Sequence, residues 1–144
     1  MGGGAVARRK VLALVDAGFA VTVVAPEIET AISESSVTAR RREFAPTDLE
    51  GFAVVFACTN DRLVNRDIGE RCRSAGTPVL VADAPGESTF YSLATARRGS
   101  VRFGVSTDGS GPGLAASIRD ILENALPPEV ADQADQLRRT RRHS

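Results

Sequence analysis

Gly2-Gly3-Gly4-Ala5-Val6-Ala7 opens the chain and runs directly into Arg8-Arg9-Lys10. Gly2 and Gly4 fit the first two glycines of a G-x-G-x-x-G/A turn, with Ala7 at the third position. In such a turn the first glycine permits the tight bend and the second lets backbone approach a pyrophosphate. The small third residue lets helix and strand pack closely. A helix starting here aims free N–H groups and the positive end of its dipole at an anion, with Ala5 and Val6 in its first turn. The turn normally follows a β-strand, and only Met1 precedes it here. Glu27 lies about 20 residues on, the interval at which an acid meets the adenosine ribose hydroxyls. An acid there favours NAD over NADP by repelling a 2′-phosphate. Glu27 also reads as the start of a solvated loop.

Asp83 is the foremost candidate for a reacting group. It follows Leu80-Val81-Ala82 and stands before Ala84-Pro85, at the rim of an apolar strand. Partial desolvation there would tune a carboxylate towards general-base work. The other reading is a helix cap or turn-starter ahead of Pro85. Ser106-Thr107-Asp108-Gly109-Ser110-Gly111-Pro112, placed before an apolar helical pattern, suits a second anion-binding turn or a flexible capped loop. His143 is the sole histidine and next to last, so acid–base chemistry falls to carboxylates, hydroxyls or water.

The elements that must position these groups follow from periodicity. Ala7, Val11, Leu14 and Val15 recur at helical spacing, and Gly18 stops the run. Residues 20–25, 53–57 and 78–82 are short apolar runs of the kind buried in a parallel sheet. Residues 27–36 read as loop or a single helical turn, 37–44 as an outer strand carrying Arg40-Arg41-Arg42, and 46–49 as a short turn or helix. Thr59-Asn60-Asp61 caps a helix whose apolar face is Val64, Ile68, Cys72 and Ala75, ended by Gly76. Residues 88–96 are expected to be helical and 101–106 a strand. Leu114, Ile118, Ile121, Leu122 and Ala125 share a helix face that ends at Pro127-Pro128. The tail from Glu129 is polar, helix-prone and basic. This order predicts an α/β fold, a Rossmann-type doubly wound parallel sheet without its first strand. The expected division is a cofactor-binding domain over 1–87, a small α/β segment over 88–127 and a tail over 128–144.

Composition bounds the rest. The chain has 144 residues, 42% apolar and 25% charged, with 18 basic and 18 acidic side chains. Zero net charge gives no general reason to expect nucleic acid or an anionic membrane. No run approaches the roughly 18 apolar residues of a membrane span, and no signal segment is evident, which implies a cytoplasmic protein. Cys58 and Cys72 lack metal-ligand spacing and read as buried thiols, so no metal site is expected. The clustered arginines suit a polycarboxylate ligand, although each cluster alone also reads as a solvated face.

Five segments together resemble the N-terminal domain of the siroheme synthase family, which comprises precorrin-2 dehydrogenase and often also sirohydrochlorin ferrochelatase. They are Gly2–Lys10, Ala17–Glu27, Ala57–Asp61 with Asn65, Val81–Pro85 and Val105–Ala115, covering the chain to about Pro127. The resemblance implies NAD over Gly2, Gly4, Ala5 and Val6, with Pro26 and Glu27 on the adenosine side and Thr59 near the nicotinamide half. It implies precorrin-2, a tetrapyrrole with eight carboxylates, as substrate, with Ser106 and Thr107 in its binding loop. Asp83 matches the family's essential aspartate, which removes a proton while NAD takes a hydride to give sirohydrochlorin. In bifunctional members the same carboxylate assists Fe²⁺ insertion. A homodimer is implied as well.

The chain departs from the family pattern at three places. The strand before the glycines is missing, so either the chain start is misplaced or the sheet lacks a middle strand. Asp108 stands for a family glycine, and the C-terminal helical extension is short, which favours the dehydrogenase without the chelatase. Two other classes fit the glycine turn: a regulatory module that senses NAD, and an inactive truncated family member. The first has no need of the Asp83-Ala84-Pro85 and 106–112 segments.

Overall fold

The computed structural model describes residues 1–108 and 110–141. Two compact units divide it, Met1–Tyr91 and the chain from Ser92 onward. The first unit contains two parallel βαβ pieces. Strand β1 (Val21–Val24) pairs with β2 (Val37–Arg40), Val21 opposite Val37, across the single-turn helix α2 (Thr30–Ser33). Strand β3 (Val55–Ala57) pairs with β4 (Val79–Val81), Val55 opposite Val79, across α3 (Arg62–Ser74). Helix α1 (Ala5–Asp16) precedes both. β3 and β4 are apolar and largely buried, as strands covered on both faces are, whereas β2 at the edge is mostly exposed. α3 starts where it does because the Asp61 carboxylate accepts from the amides of Leu63 (2.7 Å) and Val64 (3.2 Å), a cap of about 1 kcal/mol.

The two ladders are not joined into one sheet: among the described residues β1 pairs only with β2, and β3 only with β4. Met1 and Gly2 bridge them through backbone hydrogen bonds. The Met1 amine donates to the Phe56 carbonyl (2.7 Å), the Cys58 amide donates to the Met1 carbonyl (2.9 Å), and the Gly2 amide donates to the Val24 carbonyl (3.0 Å). The core is correspondingly divided. Ala7 and Val11 of α1 pack with Val23, Ala25, Ile28 and Ile32, while Ile68 and Cys72 of α3 pack with Val55, Ala57, Val79 and Val81. Both thiols are buried, as their apolar surroundings predict.

Two expectations need correction. The strand expected over 37–44 ends at Arg40. Beyond it, Arg42 bends back to the Asp48 carboxylate, which fills the short 3-10 helix Pro46–Leu49. The helix expected over 88–96 does not form. Ser88 and Thr89 instead run beside β4, where their hydroxyl oxygens accept from the amides of Val81 and Val79 (both 2.8 Å). Residues beyond Leu93 enter a hairpin, β5 (Ala94–Arg98) paired antiparallel with β6 (Val101–Val105). The Gly99-Ser100 turn, with Gly99 at φ +59°, is the signal that periodicity alone passes over.

In the second unit α4 (Pro112–Ala125) packs on the hairpin, and α5 (Pro128–Arg141) places Ala131 and Asp135 beneath Gly99. Of α4's expected apolar face, Leu114, Ile121 and Leu122 are exposed, and Ala115 is the buried contact. Asp108 stands at φ +47°, a backbone conformation that glycine adopts without strain. Gly109 and His143 lie outside the described residues.

The arginine run at residues 40–42 is spent internally. Asp48 is 1% exposed and accepts from Arg40 (3.0 Å), Arg42 (2.5 Å) and the Ala45 amide (2.9 Å), while Arg41 donates to the Ile28 carbonyl. Arg42, with the Ala45 amide and Arg40, holds the Asp48 carboxyl far below its usual range. A depressed carboxylate stabilises the fold above its unfolded value of 3.8 and loses that contribution as pH falls below it. Asp48→Asn is therefore expected to cost about 1–3 kcal/mol at neutral pH, discounted for the half-exposed arginines. In urea melts the gap to the parent protein should narrow between about pH 4 and about pH 2. A gap that stays constant over that range would remove Asp48 from this role.

Candidate functional site

Three carboxyl-terminal strand ends and one helix start meet around a cavity of about 760 Å³ in the first unit. Gly2, Gly3 and Gly4 form its floor, with the segment after β1 (Pro26 and Glu27), the loop after β3 (Cys58–Asp61), and Glu43 with Phe44 beyond β2. The close approach of backbone to backbone demands glycine at two of these positions. A Cβ on Gly2, which sits at φ +101°, would lie 2.2 Å from the Cys58 carbonyl oxygen, and one on Gly3 would lie 2.1 Å from that of Glu27. Gly4 is different: nothing lies within 4 Å of where its Cβ would stand. The space above Gly4 is open cavity.

Helix α1 starts at that opening without a cap. No side chain bonds its first turn and no acid sits there, and the first backbone bond within it runs from the Arg8 amide to the Gly4 carbonyl (2.9 Å). The amides of Ala5, Val6 and Ala7 thus have no intrahelical acceptor, and the positive end of the dipole is unneutralised. Ala7 is buried against the core, as the third position of the turn requires. This arrangement fits a dinucleotide: the glycine floor gives close approach and the helix start gives donors for its pyrophosphate.

Thr59 is fixed by a buried amide. Asn65 is 0% exposed, and its Oδ1 accepts from both the Thr59 amide (3.0 Å) and the Thr59 hydroxyl (2.7 Å), while its Nδ2 donates to the Thr59 carbonyl (3.0 Å). Three bonds from one side chain hold the loop's shape at the cavity wall. Burial pushes the neighbouring Cys58 thiol up, against the pull of the Met1 amine and Lys10. It stays a thiol at neutral pH, not a nucleophile. Glu29 is paired with Arg8 at 3.0 Å, and Glu27, Glu43 and Asp61 are the other acids of this wall.

The structure brings Gly2, Gly4, Pro26, Glu27 and Thr59 to one cavity. Ala5 and Val6 stand exposed at the α1 start beside it. Asp83 does not line the cavity, and it is exposed, contrary to the expected partial desolvation. β4 ends at Val81, and the turn that follows lifts the carboxylate into solvent. Ser106 and Thr107 belong to the second unit, between β6 and α4, where the Thr107 hydroxyl donates to the Gly111 carbonyl (3.3 Å). Gly3, Phe44 and Asn65 are site residues that the fingerprint does not pick out. Gly3 occupies a variable position of the motif, and the role of Asn65 arises only once helix and loop fold together.

A family model described as “Putative NAD(P)-binding” matches residues 1–94. The chain belongs to this NAD(P)-binding family. It is 40% identical over 131 residues to a siroheme synthase of Methylococcus capsulatus, covering 88% of this chain and 28% of that protein. It is 32% identical over 151 residues to a siroheme synthase of Gluconacetobacter diazotrophicus, covering 99% and 32%. The chain therefore spans less than a third of these relatives. Among solved structures, SirC, a precorrin-2 dehydrogenase, superposes with a TM-score of 0.79 at 26% identity, covering 91% of this chain and 66% of that one. The α/β fold with its parallel strands is of the same Rossmann type. No helix among the described residues is long and apolar enough to cross a membrane.

Two glycines at one turn should respond oppositely to the same substitution. Gly3→Ala drives a methyl into backbone and is expected to lower the melting temperature by ten degrees or more, or to abolish folding (about 3 kcal/mol or more). Gly4→Ala should move it only by a few degrees, about 1 kcal/mol at most for a changed N-cap, while weakening NAD binding about tenfold or more. Thermal melts with and without NAD read both; equal effects at the two positions would refute the division of roles.

Proposed function

We propose that this chain is a dehydrogenase that oxidises precorrin-2 with NAD in siroheme formation. The observation that carries the reading is the uncapped start of α1 above the open face of Gly4, beside strand ends that present Glu27 and Thr59. The family match and the structural neighbour, a precorrin-2 dehydrogenase, support the substrate class.

Each residue has a definite task. The amides at the α1 start hold the pyrophosphate, and the Gly2–Gly4 backbone lets it come close. Pro26 and Glu27 flank the adenosine ribose, where the Glu27 carboxylate accepts from its hydroxyls. Thr59, clamped by Asn65, lines the nicotinamide side. When bound, NAD supplies the hydride acceptor. Asp83 takes the accompanying proton on a carboxylate oxygen, so the macrocycle loses one hydride and one proton in forming sirohydrochlorin. Its exposure leaves the carboxylate reachable by a bulky substrate that no narrow cavity would admit. Ser106 and Thr107 offer hydroxyls to a substrate carboxylate. The exposed Leu114, Ile121 and Leu122 of α4 support a homodimer, since apolar side chains grouped on one helix face favour a partner surface.

Asp83→Asn should lower sirohydrochlorin formation by about 100-fold or more, the usual scale for losing a general base, with NAD affinity unchanged. The absorbance change of the tetrapyrrole reports the first and calorimetric titration the second. Parent-like turnover by the variant would reject the assignment. Replacing the ribose-facing acid, Glu27→Ala, should narrow the preference for NAD over NADP by about tenfold, one lost charge-assisted contact. A preference that stays the same would place the ribose elsewhere.

A further inference from the structure

The bonds between Thr59 and Asn65 together fix where the Thr59 proton goes. The Thr59 backbone amide can only donate and its carbonyl can only accept. The first lies 3.0 Å from Asn65 Oδ1 and the second 3.0 Å from Asn65 Nδ2, so the Asn65 amide has one orientation. Its oxygen therefore faces the Thr59 hydroxyl, at 2.7 Å. Two oxygens that close need a proton between them, and an amide oxygen has none to give. The hydroxyl is the donor.

The rest of the hydroxyl follows by count, since it carries one proton and two lone pairs. The Asp61 amide donates to Oγ1 at 3.2 Å, which takes one lone pair. The Asp61 carbonyl, at 3.0 Å, is a second acceptor within reach. Turning the proton towards it would leave the Thr59 and Asn65 oxygens 2.7 Å apart with nothing between them. One lone pair remains. Thr59 lines the cofactor cavity and is half-buried, and its bonds to Asp61 lie at the exposed edge of the loop. Asn65 is fully buried, so water does not compete for its amide.

We propose, taking NAD as the cofactor, that Asn65 is a positioning residue for specificity. By holding the Thr59 proton it makes Oγ1 an acceptor alone, which takes an N–H from the nicotinamide carboxamide and rejects a carboxylate in its place. A carboxamide brings two N–H donors, whereas a carboxylate brings only acceptor oxygens and sets lone pair against lone pair. Selection comes from that repulsion as much as from the bond. An unclamped threonine would lack it, because its hydroxyl turns to suit either group. The Thr59 amide offers the ligand no donor either, being spent on Asn65.

Calorimetric titration of the full chain with NAD, with its nicotinic acid analogue and with ADP-ribose tests this. The analogue has a carboxylate for the carboxamide, and ADP-ribose lacks the ring. The parent protein should bind NAD about tenfold or more tighter than the analogue. Thr59→Ser, which keeps the hydroxyl, should keep that ratio. Thr59→Val should bring it within about threefold and leave ADP-ribose affinity unchanged. Asn65→Leu releases the hydroxyl proton and should also bring the ratio near unity with Thr59 in place; if this variant does not fold, the Thr59 pair decides. A parent ratio near unity, a ratio lost in Thr59→Ser, or one that survives Thr59→Val or Asn65→Leu would overturn the proposal. So would an equal loss of all three ligands in Thr59→Val, the mark of a merely structural loop. A parent that binds none of the three sinks the cofactor reading with it. The expected ratios without turnover of precorrin-2 would uphold the proposal and count against the dehydrogenase alone.

Discussion

The unit rests on a close approach of three backbone segments at Gly2 and Gly3. The Cys58 and Glu27 carbonyls come so near these two residues that no side chain fits, and hydrogen bonds from Gly2 to Val24 and between Met1 and both Phe56 and Cys58 maintain the spacing. That junction sets the distance between β1 and β3 and the point at which α1 begins. It also sets the level of the cavity floor. A displacement of an ångström here would move donors away from any pyrophosphate, whose recognition depends on amides held in advance of binding.

The open face of the described cavity presents mainly backbone at Gly2–Gly4 and the start of α1. The described site holds no histidine, and its arginines are committed elsewhere: Arg8 to Glu29, and Arg40 and Arg42 to Asp48. The cluster at residues 40–42 thus has a structural cause, a nearly inaccessible carboxylate, Asp48, that needs several donors to be tolerated. What remains for an anion is the uncapped start of α1, whose positive character comes from aligned peptides and is independent of pH. Side chains shape the surroundings. Asn65 illustrates this, spending its whole amide on the Thr59 backbone and hydroxyl.

Local reading of the chain goes furthest where one residue type has one physical use. The glycine turn, the Asp61 cap, the breaks at Gly18 and Gly76 and the apolar strand cores all emerge within a residue or two, because each depends on neighbours in sequence. It falters at residues 88–96, where helical content competes with the demand of β4 for hydroxyl acceptors along its edge and with the pull of the hairpin. Asp83 falters for a related reason: an apolar run implies a buried strand end, but the strand stops two residues earlier and the turn carries the carboxylate outward.

The sequence by itself determined the α/β class, the helix that follows the glycine turn and several strand ends beside it, since these follow from periodicity, turn chemistry and the steric uniqueness of glycine. Only the tertiary structure decided that the two ladders stay separate and that Arg40 and Arg42 serve Asp48. It likewise decided that a side chain at position 3 would meet backbone while one at position 4 would meet open space. Those outcomes depend on which distant backbones and charges come within a few ångströms of each other, and no spacing along the chain encodes that distance.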